Sequence, residues 1–321
     1  MPMRSRTLAK LLLGAVGVAA MTAVGAATWP DRPLRLVVPF SPGGLTDVVA
    51  RTVAERMAAD LGQPITVENR PGAGGNIGAS TVARAPKDGY TLLLVSQFLA
   101  LNKTAYRQID YDIETDFAPI GDIAQSAIFL VVRPDFPAKD LGEMVAYMRR
   151  HPGRVNFAVA GAGPTASYFA MASDTKFATV PYKGNAPALT DLVAGRVDAI
   201  MIAAETVLPY VDSGKVKVMA LTSSDRRSQY FPDVPAAAEF VPTFSAPGFL
   251  GLATVKGTSR DVVLRLSAAL HAALGNEQLK AQFKKLGIEV VSSSPEGFSE
   301  RISQEVQRWS AVVKATNGYI N

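Results

Sequence analysis

Short apolar segments alternate with amphipathic segments along most of this chain. Residues 34–38 and 90–96 are apolar runs of strand length, and the second resembles the fully buried strands found inside parallel sheets. Between them, apolar residues recur every four positions from Val49 to Leu61, which predicts a helix over about residues 46–61. Alternating strands and helices predict an α/β protein with right-handed crossovers.

A second series of the same kind begins after residues 117–121. Its expected strands are residues 127–132, 155–159, 177–180, 197–202 and 216–222. The last helix is predicted to start with Ser294 as its cap and Pro295 as its first residue. Its apolar stripe consists of Phe298, Ile302, Val306, Trp309 and Val313. We expect that stripe to pack on a domain core.

The composition is that of a globular protein. The chain has 321 residues, enough for two domains by the usual size range, with 48% hydrophobic and 19% charged residues. There is no cysteine, which excludes disulfides, thiol catalysis, lipid anchoring through a cysteine and cysteine-ligated metals.

The first 27 residues differ from the remainder. Arg4, Arg6 and Lys10 precede an apolar run over residues 11–24, and small residues follow it, which is typical of a cleavable secretory signal peptide. Without these three basic residues, 30 Lys and Arg remain against 28 Asp and Glu, a net charge of about +2. The basic balance is therefore not the clustered basic face that nucleic-acid binding requires. We expect an exported protein, located in the periplasm.

The stretch between the first strand and the first helix organises the chain. Two prolines fix its turn, and Gly43 and Gly44 permit positive φ or a close backbone approach. The N-terminus of a helix carries unpaired N–H donors and the positive end of the helix dipole, so this turn suits an anion. By itself, the stretch is explained equally well as a plain strand–turn–helix connection capped by Thr46 or Asp47.

Two further glycine-containing turns follow predicted strands, at residues 161–165 and 182–185. An open α/β sheet binds its ligands outside the carboxyl ends of its strands. Each turn could be structural by itself, but the three together favour a site for a small anionic ligand.

Signatures of catalysis and of nucleotide binding are weak. Residues 72–78 resemble a dinucleotide-binding glycine turn, but three residues separate them from the strand and no acidic ribose partner follows. We interpret them as a loop leading into a helix near residues 79–84. His151 and His271 are expected to be surface or packing residues, and the carboxylates show no metal-ligand spacing.

Several ordered motifs give the chain a resemblance to a known family. They are WPxxP at 29–33, VPFxPGGxxD at 38–47, ENRPGAGGNIG at 68–78, DGYTL at 88–92, DFAPI at 116–120, VPYKG at 180–184 and PDVP at 232–235. With these motifs, essentially all of the mature chain resembles the substrate-binding receptors of tripartite tricarboxylate transporters, also called the Bug family.

The resemblance implies a two-lobed periplasmic binding protein fold, type II-like, with two Rossmann-like lobes, a hinge and a ligand cleft between them. We expect residues 1–27 to be the signal peptide, residues 28–124 and 246–321 to form lobe 1, and residues 125–245 to form lobe 2. The implied function is that of a receptor, not an enzyme. It would capture a small carboxylate-bearing organic acid for membrane permease subunits, as a monomer, with no cofactor, metal or nucleic acid.

The resemblance also assigns ligand contacts. In the family, the Pro-Gly-Gly-x-x-Asp turn holds a ligand carboxylate through backbone N–H groups, a role that falls here to Gly43, Gly44, Leu45 and Thr46. Asp47 is expected to brace the turn, or to meet water or an ammonium group. The other expected contacts are Phe40, Ser96, Gln97, Gly163, Thr165, Ser167, Tyr182, Lys183 and Gly184.

The chain departs from the family pattern after residue 163. Ser167 occupies the place of a usual histidine, and the stretch to Val180 is about one helical turn shorter. The later wall, residues 202–205, is also more apolar than a multiply charged ligand would need. These features suggest a carboxylate with an apolar or aromatic body.

Two other classes of function remain open from the sequence. A ligand-sensing partner of a membrane signalling protein would have the same fold and site, and only permease-dependent uptake would distinguish it. A secreted enzyme would show turnover that depends on Lys183 or Asp47.

Overall fold

The protein folds around two separate β-sheets, each flanked by helices. The computed structural model describes residues 29–159, 163–182, 184–222, 227–228, 231–246 and 248–316. The strands in chain order are β1 (Leu34–Val38), β2 (Ile65–Asn69), β3 (Thr91–Ser96), β4 (Phe117–Ser126), β5 (Ile128–Val132), β6 (Asn156–Val159), β7 (Ala178–Pro181), β8 (Ala199–Ala203), β9 (Lys217–Leu221), β10 (Gly248–Val255) and β11 (Ile288–Val290). The helices are α1 (Leu45–Leu61), α2 (Asn76–Ala83), α3 (Gln97–Ala105), α4 (Leu141–Arg150), α5 (Gly163–Ser173), α6 (Asn185–Val193), α7 (Ala204–Asp212), α8 (Arg260–Leu274), α9 (Glu277–Lys285) and α10 (Pro295–Thr316).

The six-stranded sheet has the order β11-β4-β10-β3-β1-β2, and the five-stranded sheet has the order β7-β6-β8-β5-β9. In the first, β1 is parallel to β2 and β3, whereas β10 is antiparallel to β3 and β4. In the second, β6 is parallel to β7 and β8, and β5 is antiparallel to β8 and β9. We call the units around these sheets the six-stranded lobe and the five-stranded lobe. The predicted α/β class is confirmed, with mixed rather than purely parallel sheets.

The helix predicted from the four-residue spacing forms as α1. Its stripe from Val49 to Leu61 is buried and packs in one core cluster with Leu34 and Leu36 of β1. Gly62 ends the helix in the left-handed region, at φ 69°, where glycine has no Cβ penalty. The burial of this face holds the N-terminus of α1 at the carboxyl edge of β1.

The glycine-rich segment after β2 is a packing element. A short 3₁₀ turn over Ala73–Gly75 leads into α2 at Asn76, three residues earlier than predicted. A Cβ on Gly78 would lie 2.8 Å from Cβ of Pro39 and 2.9 Å from the carbonyl oxygen of Arg70. Glycine is therefore required here because two backbone segments approach each other closely.

The two lobes are joined where two strands run side by side. β4 ends at Ser126, and after the single residue Ala127 the chain continues as β5 in the other sheet. On the return, Gly248 starts β10 and pairs with Ser126. The expected boundary at Ala124 thus falls inside β4. Residues 117–121, expected to precede the second series, are instead the first half of this strand.

The last helix contacts both lobes, so the expectation that it packs on one domain core needs correction. Phe298 and Ile302 share a cluster with strands of the six-stranded sheet. Trp309 and Val313, farther along α10, share a cluster with Tyr168 of the five-stranded lobe. A helix of 22 residues is about 33 Å long, which is enough to reach across the junction.

Helices α3 and α7 were not predicted. Neither has a side-chain cap at its N-terminus, and α7 contains Pro209. Each follows directly after an apolar strand, so the apolar run gives no signal of where strand ends and helix begins.

Candidate ligand-binding site

A cavity of about 250 Å³ lies between the two lobes. Both lobes contribute to its wall. Its described lining residues are Phe40, Leu45, Thr46, Ser96, Gln97, Phe98, Ser126, Ile128, Asn185, Met201, Ile202, Ala203 and Leu250. Five of these, Phe40, Leu45, Thr46, Ser96 and Gln97, are among the contacts expected from the sequence.

The N-terminus of α1 opens onto this cavity. Gly44 is the N-cap residue in an extended conformation, and no side chain caps the helix. No described residue accepts a hydrogen bond from the N–H groups of Gly44, Leu45 and Thr46, whereas the N–H of Asp47 donates to the carbonyl of Gly44. Three adjacent N–H donors at the positive end of a 17-residue helix are an arrangement that favours an anion.

Asp47 braces the turn that carries these donors. Its carboxylate accepts hydrogen bonds from the N–H of Gly43 at 3.0 Å, from Arg51 Nε at 3.0 Å and from Asn69 Nδ2 at 2.9 Å. Asn69 Nδ2 also donates to the carbonyl oxygen of Phe40 at 3.1 Å, on the other side of the turn. The N–H of Gly43 is therefore engaged by Asp47, which corrects the expectation that it contacts the ligand. Asp47 is buried and acts as a brace.

The hydrogen bond from Arg51 is the largest cause that lowers the pKa of Asp47 from 3.8 to about 2. A carboxyl group whose pKa is lower in the folded state stabilises the protein above its unfolded pKa and loses this effect as the pH falls toward the folded value. We expect Asp47→Asn to lower the free energy of unfolding by about 2 kcal/mol at pH 7, because one pKa unit corresponds to about 1.36 kcal/mol.

The difference between the wild type and Asp47→Asn should shrink between pH 4 and pH 2, as measured by urea unfolding at several pH values. Glu55→Gln, on the exposed side of the same helix, serves as the control and should show a small effect. A difference that stays constant down to pH 2 would contradict this assignment.

Ser96 supplies a hydroxyl group to the same wall. It ends β3, which is the parallel neighbour of β1, so it lies at the sheet edge from which α1 starts. Its side chain is 1% exposed, and Oγ has no hydrogen-bond partner among the described residues. A buried hydroxyl without a partner has an uncompensated desolvation cost, which a bound polar ligand would remove.

Replacing Ser96 by Ala should therefore weaken ligand binding without lowering the stability of the ligand-free protein. Removing an unpaired buried hydroxyl should leave the ligand-free protein as stable as the wild type, or more stable by up to ~1 kcal/mol. Loss of the hydrogen bond should weaken ligand binding at least tenfold, since a hydrogen bond to a charged group contributes ~1.5–3 kcal/mol. Thermal unfolding without ligand and calorimetric titration with it measure the two effects, and parallel losses of both would contradict the prediction.

Aromatic and amide groups form the remainder of the wall. The rings of Phe40 and Phe98 meet edge to face with centroids 6.1 Å apart. Asn185, the first residue of α6, faces the cavity from the five-stranded lobe. The sequence analysis named neither Phe98 nor Asn185 as a contact, although Asn185 belongs to the glycine-containing turn at residues 182–185.

Four other expected contacts, Thr165, Ser167, Tyr182 and Gly184, are not among the described lining residues of the cavity. Gly163 starts α5, and Thr165 and Ser167 lie partly exposed on that helix. The hydroxyl of Tyr182 donates a hydrogen bond to Asp191 of α6 at 2.7 Å, and this bond anchors Tyr182 to that helix. Gly184 is the N-cap residue of α6. Lys183 lies outside the described residues.

The described lining contains no charged side chain. His151 and His271 are both exposed and lie outside this wall. Within the described ranges, no three His, Asp or Glu side chains are grouped so that they could hold a metal ion. None of the helices in those ranges combines the length and apolar character that a bilayer crossing requires. The polar side chains of the described lining are thus neutral hydroxyls and amides, which both donate and accept hydrogen bonds.

Two α/β lobes joined by adjacent crossings, with a cavity between them and a helix N-terminus opening onto it, define a two-lobed solute-binding protein. The family model described as tripartite tricarboxylate transporter family receptor matches residues 49–318. The chain therefore belongs to this family of receptors, whose members are binding proteins of the periplasm and not enzymes.

Individual relatives agree with this assignment. The protein BugT of Bordetella pertussis is 35% identical over 317 residues, which cover 95% of this chain and 97% of BugT. The structure of MatC from Rhodopseudomonas palustris with bound malate is 33% identical, with a TM-score of 0.73 over 88% of this chain and 99% of MatC. The structure of R. palustris Rpa4515 with adipate is 32% identical, with a TM-score of 0.75 over 89% of this chain and 97% of that protein. These comparisons confirm the resemblance and the fold class inferred from the sequence.

Proposed function

We propose that this protein captures a small organic acid by a carboxylate group and delivers it to the permease subunits of a tripartite transporter. Its membership of the receptor family supports the class of function, and malate and adipate in the MatC and Rpa4515 structures support a carboxylate. For this chain, one observation carries the proposal. The N–H groups of Gly44, Leu45 and Thr46 have no acceptor among the described residues, and Leu45 and Thr46 line the interlobe cavity.

The N-terminus of one helix does not account for tight binding by itself. It contributes ~0.3–1 kcal/mol when exposed and up to ~2 kcal/mol when partly buried. Micromolar affinity requires about 8 kcal/mol. The hydroxyl of Ser96, the amides of Gln97 and Asn185, and burial of the ligand's carbon atoms are the further contributions that this cavity offers.

Lobe closure supplies the remaining component in this proposal. We place the hinge at the two adjacent crossings, where β5 follows β4 at Ala127 and where β10 begins at Gly248. The described residues 29–126 and 248–316 then form lobe 1, and the described residues from Ile128 to Ala246 form lobe 2. Closing the cleft would exclude water, and the hydrogen bonds at α1 would strengthen in the lower local dielectric. The contacts expected at Gly163, Thr165, Ser167 and residues 182–184 would then belong to the closed state, in which their turns approach the ligand.

The remaining parts of the proposal concern export, location in the cell and oligomeric state. Residues 1–27 would direct export and be removed, and the mature protein would act as a monomer in the periplasm. Purification from the periplasm of an expressing host, followed by mass spectrometry, tests the removal of this segment. A mass that includes residues 1–27 would contradict it.

A thermal-unfolding screen against amino acids, dicarboxylates, tricarboxylates and aromatic acids tests the receptor function. A ligand at ~100 times its dissociation constant should add about 2.7 kcal/mol to the stability. Matching amides, which lack the charge, serve as controls. We expect one class of carboxylate to raise the melting temperature by several degrees and its amide to have no effect. A folded protein that responds to no carboxylate would contradict the proposed function.

A further inference from the structure

The polar groups of the interlobe cavity are unevenly placed. The donors of Leu45 and Thr46 follow β1, and the hydroxyl of Ser96 ends β3. Because β1 and β3 are parallel neighbours, these groups share one edge of the six-stranded sheet. The hydroxyl of Ser96 is 1% exposed and has no hydrogen-bond partner within the described ranges. It therefore indicates, independently of the helix N-terminus, that a polar group of the ligand binds at this edge.

Most of the remaining wall is apolar. It is formed by Phe40, Phe98, Ile128, Met201, Ile202, Ala203 and Leu250. Met201 and Ile202 come from β8 of the five-stranded lobe, so the apolar surface faces the donors from across the cleft as well as flanking them. No cationic side chain lies among the described lining residues to neutralise a second anion.

Phe98 is unusual among the described residues. It is one of five large apolar side chains that are exposed in the described ranges, and among these five it alone lines the cavity. The residue is 37% exposed, and its ring is held edge to face against that of Phe40. An aromatic side chain that is positioned by a neighbour but left open to solvent at a cavity can bury its free face on an apolar ligand.

We infer that the ligand carries a single carboxylate and an uncharged apolar body, and that the receptor discriminates against a second negative charge on the same molecule. The inference rests on the proposed function, because it concerns the same cavity. The carboxylate binds at Gly44 to Thr46 and Ser96, and the body lies against Phe98, Ile202 and Leu250. A second carboxylate on the body would lose its hydration against that wall without gaining a cation.

The neutral amide of Asn185 fits this arrangement. It can both donate and accept a hydrogen bond, so it can serve a hydroxyl or carbonyl group on the ligand's body. Asn185 is also the first residue of α6. The N-terminus of this helix is the place in the described wall where a second anion could bind. A dicarboxylate bound between α1 and α6 is therefore the alternative that the experiment must separate.

Hexanoate and adipate provide the matched test, because both have six carbon atoms in a chain and differ in the second carboxylate. Calorimetric titration at pH 8, where both acids are fully ionised, should show hexanoate binding at least tenfold more tightly than adipate. Benzoate and terephthalate repeat the comparison with a ring.

Adipate binding as tightly as hexanoate, or more tightly, would overturn the inference while leaving the carboxylate receptor intact. Loss of that adipate binding in Lys183→Met would then assign the second carboxylate to a lysine outside the described residues. Absence of binding by all four acids and by the wider panel of carboxylates would instead overturn the proposed function itself.

The place of the apolar body has its own test. Phe98→Ala should weaken the binding of hexanoate or benzoate about tenfold, since a buried aromatic contact is lost. Phe240→Ala is the matched control, because Phe240 is 38% exposed and lies outside the cavity wall. Its affinity should equal that of the wild type. Equal affinities of Phe98→Ala and the wild type would overturn the position assigned to the body.

Discussion

Replacing Gly44 by Val should reduce carboxylate affinity by at least 100-fold and leave the ligand-free protein folded. The new side chain would occupy the space in front of the N–H groups of Leu45 and Thr46, where we place the anion. A 100-fold loss corresponds to about 2.7 kcal/mol of binding free energy.

The backbone at Gly44 accepts a side chain. Its φ of −80° and ψ of 170° lie in the β region, which β-branched residues favour. A Cβ there would meet only the carbonyl oxygen of Ser41 within 4 Å, at 3.8 Å. Valine is a poorer N-cap than glycine, but it also restricts the unfolded chain, so the net change in stability should stay within ~1 kcal/mol.

Calorimetric titration and thermal unfolding measure the two quantities separately. Ala59→Val, at an exposed position of the same helix, is the control for adding a valine to α1, and it should bind normally. Gly44→Ala, with a smaller side chain, should give an intermediate affinity. Wild-type affinity in Gly44→Val would show that the anion binds elsewhere.

Replacing Trp309 by Ala should destabilise the protein by ~3–5 kcal/mol, the cost usually seen when a large buried ring is removed. Trp309 is 2% exposed and lies in a cluster with Tyr168 and Phe244, so its loss leaves a cavity between α10 and the five-stranded lobe. Its ring centroid is 6.2 Å from that of Tyr168 in an edge-to-face arrangement.

Trp309→Phe should be much milder. The indole N–H of Trp309 has no acceptor with good hydrogen-bond geometry among the described residues, although it lies close enough to Glu305 to act against the rise in the pKa of that buried carboxyl. Phenylalanine therefore removes volume and one weak polar contact. We expect a cost below ~1.5 kcal/mol. Urea unfolding followed by circular dichroism measures both variants, and Leu264→Ala, at an exposed position, should change stability by less than ~0.5 kcal/mol. A small effect of Trp309→Ala would show that the end of α10 does not join the lobes.

Local patterns were enough to predict most elements of the fold. The four-residue spacing from Val49 to Leu61 predicted α1, and the apolar run before Ser96 predicted β3. Burial leaves a local trace in both cases, as regularly spaced apolar residues in a helix with one buried face and as a continuous apolar run in a fully buried strand. The start of α4 is also locally encoded, since the side chain of Asp140 accepts a hydrogen bond from the N–H of Glu143 as a cap. The helices α3 and α7 left no such trace, because tertiary packing rather than a cap defines where they begin.

The sequence by itself determined the family, the α/β class and the turn at Gly43 to Asp47, because strand–turn–helix signals and ordered motifs are local properties of the chain. The tertiary structure alone decided how that turn is used. It directed the N–H of Gly43 to Asp47, left three neighbouring N–H groups without an acceptor in the described part of the chain, and placed Phe98 and Asn185 on the same wall. It also carried the end of α10 onto the second lobe. The positions of Phe98, Asn185 and the end of α10 depend on contacts between residues far apart in the chain, and such contacts have no periodicity or spacing that a single sequence displays. The bond from Gly43 to Asp47 spans only four residues, but the Asn69 side chain that holds Asp47 comes from a separate strand, β2.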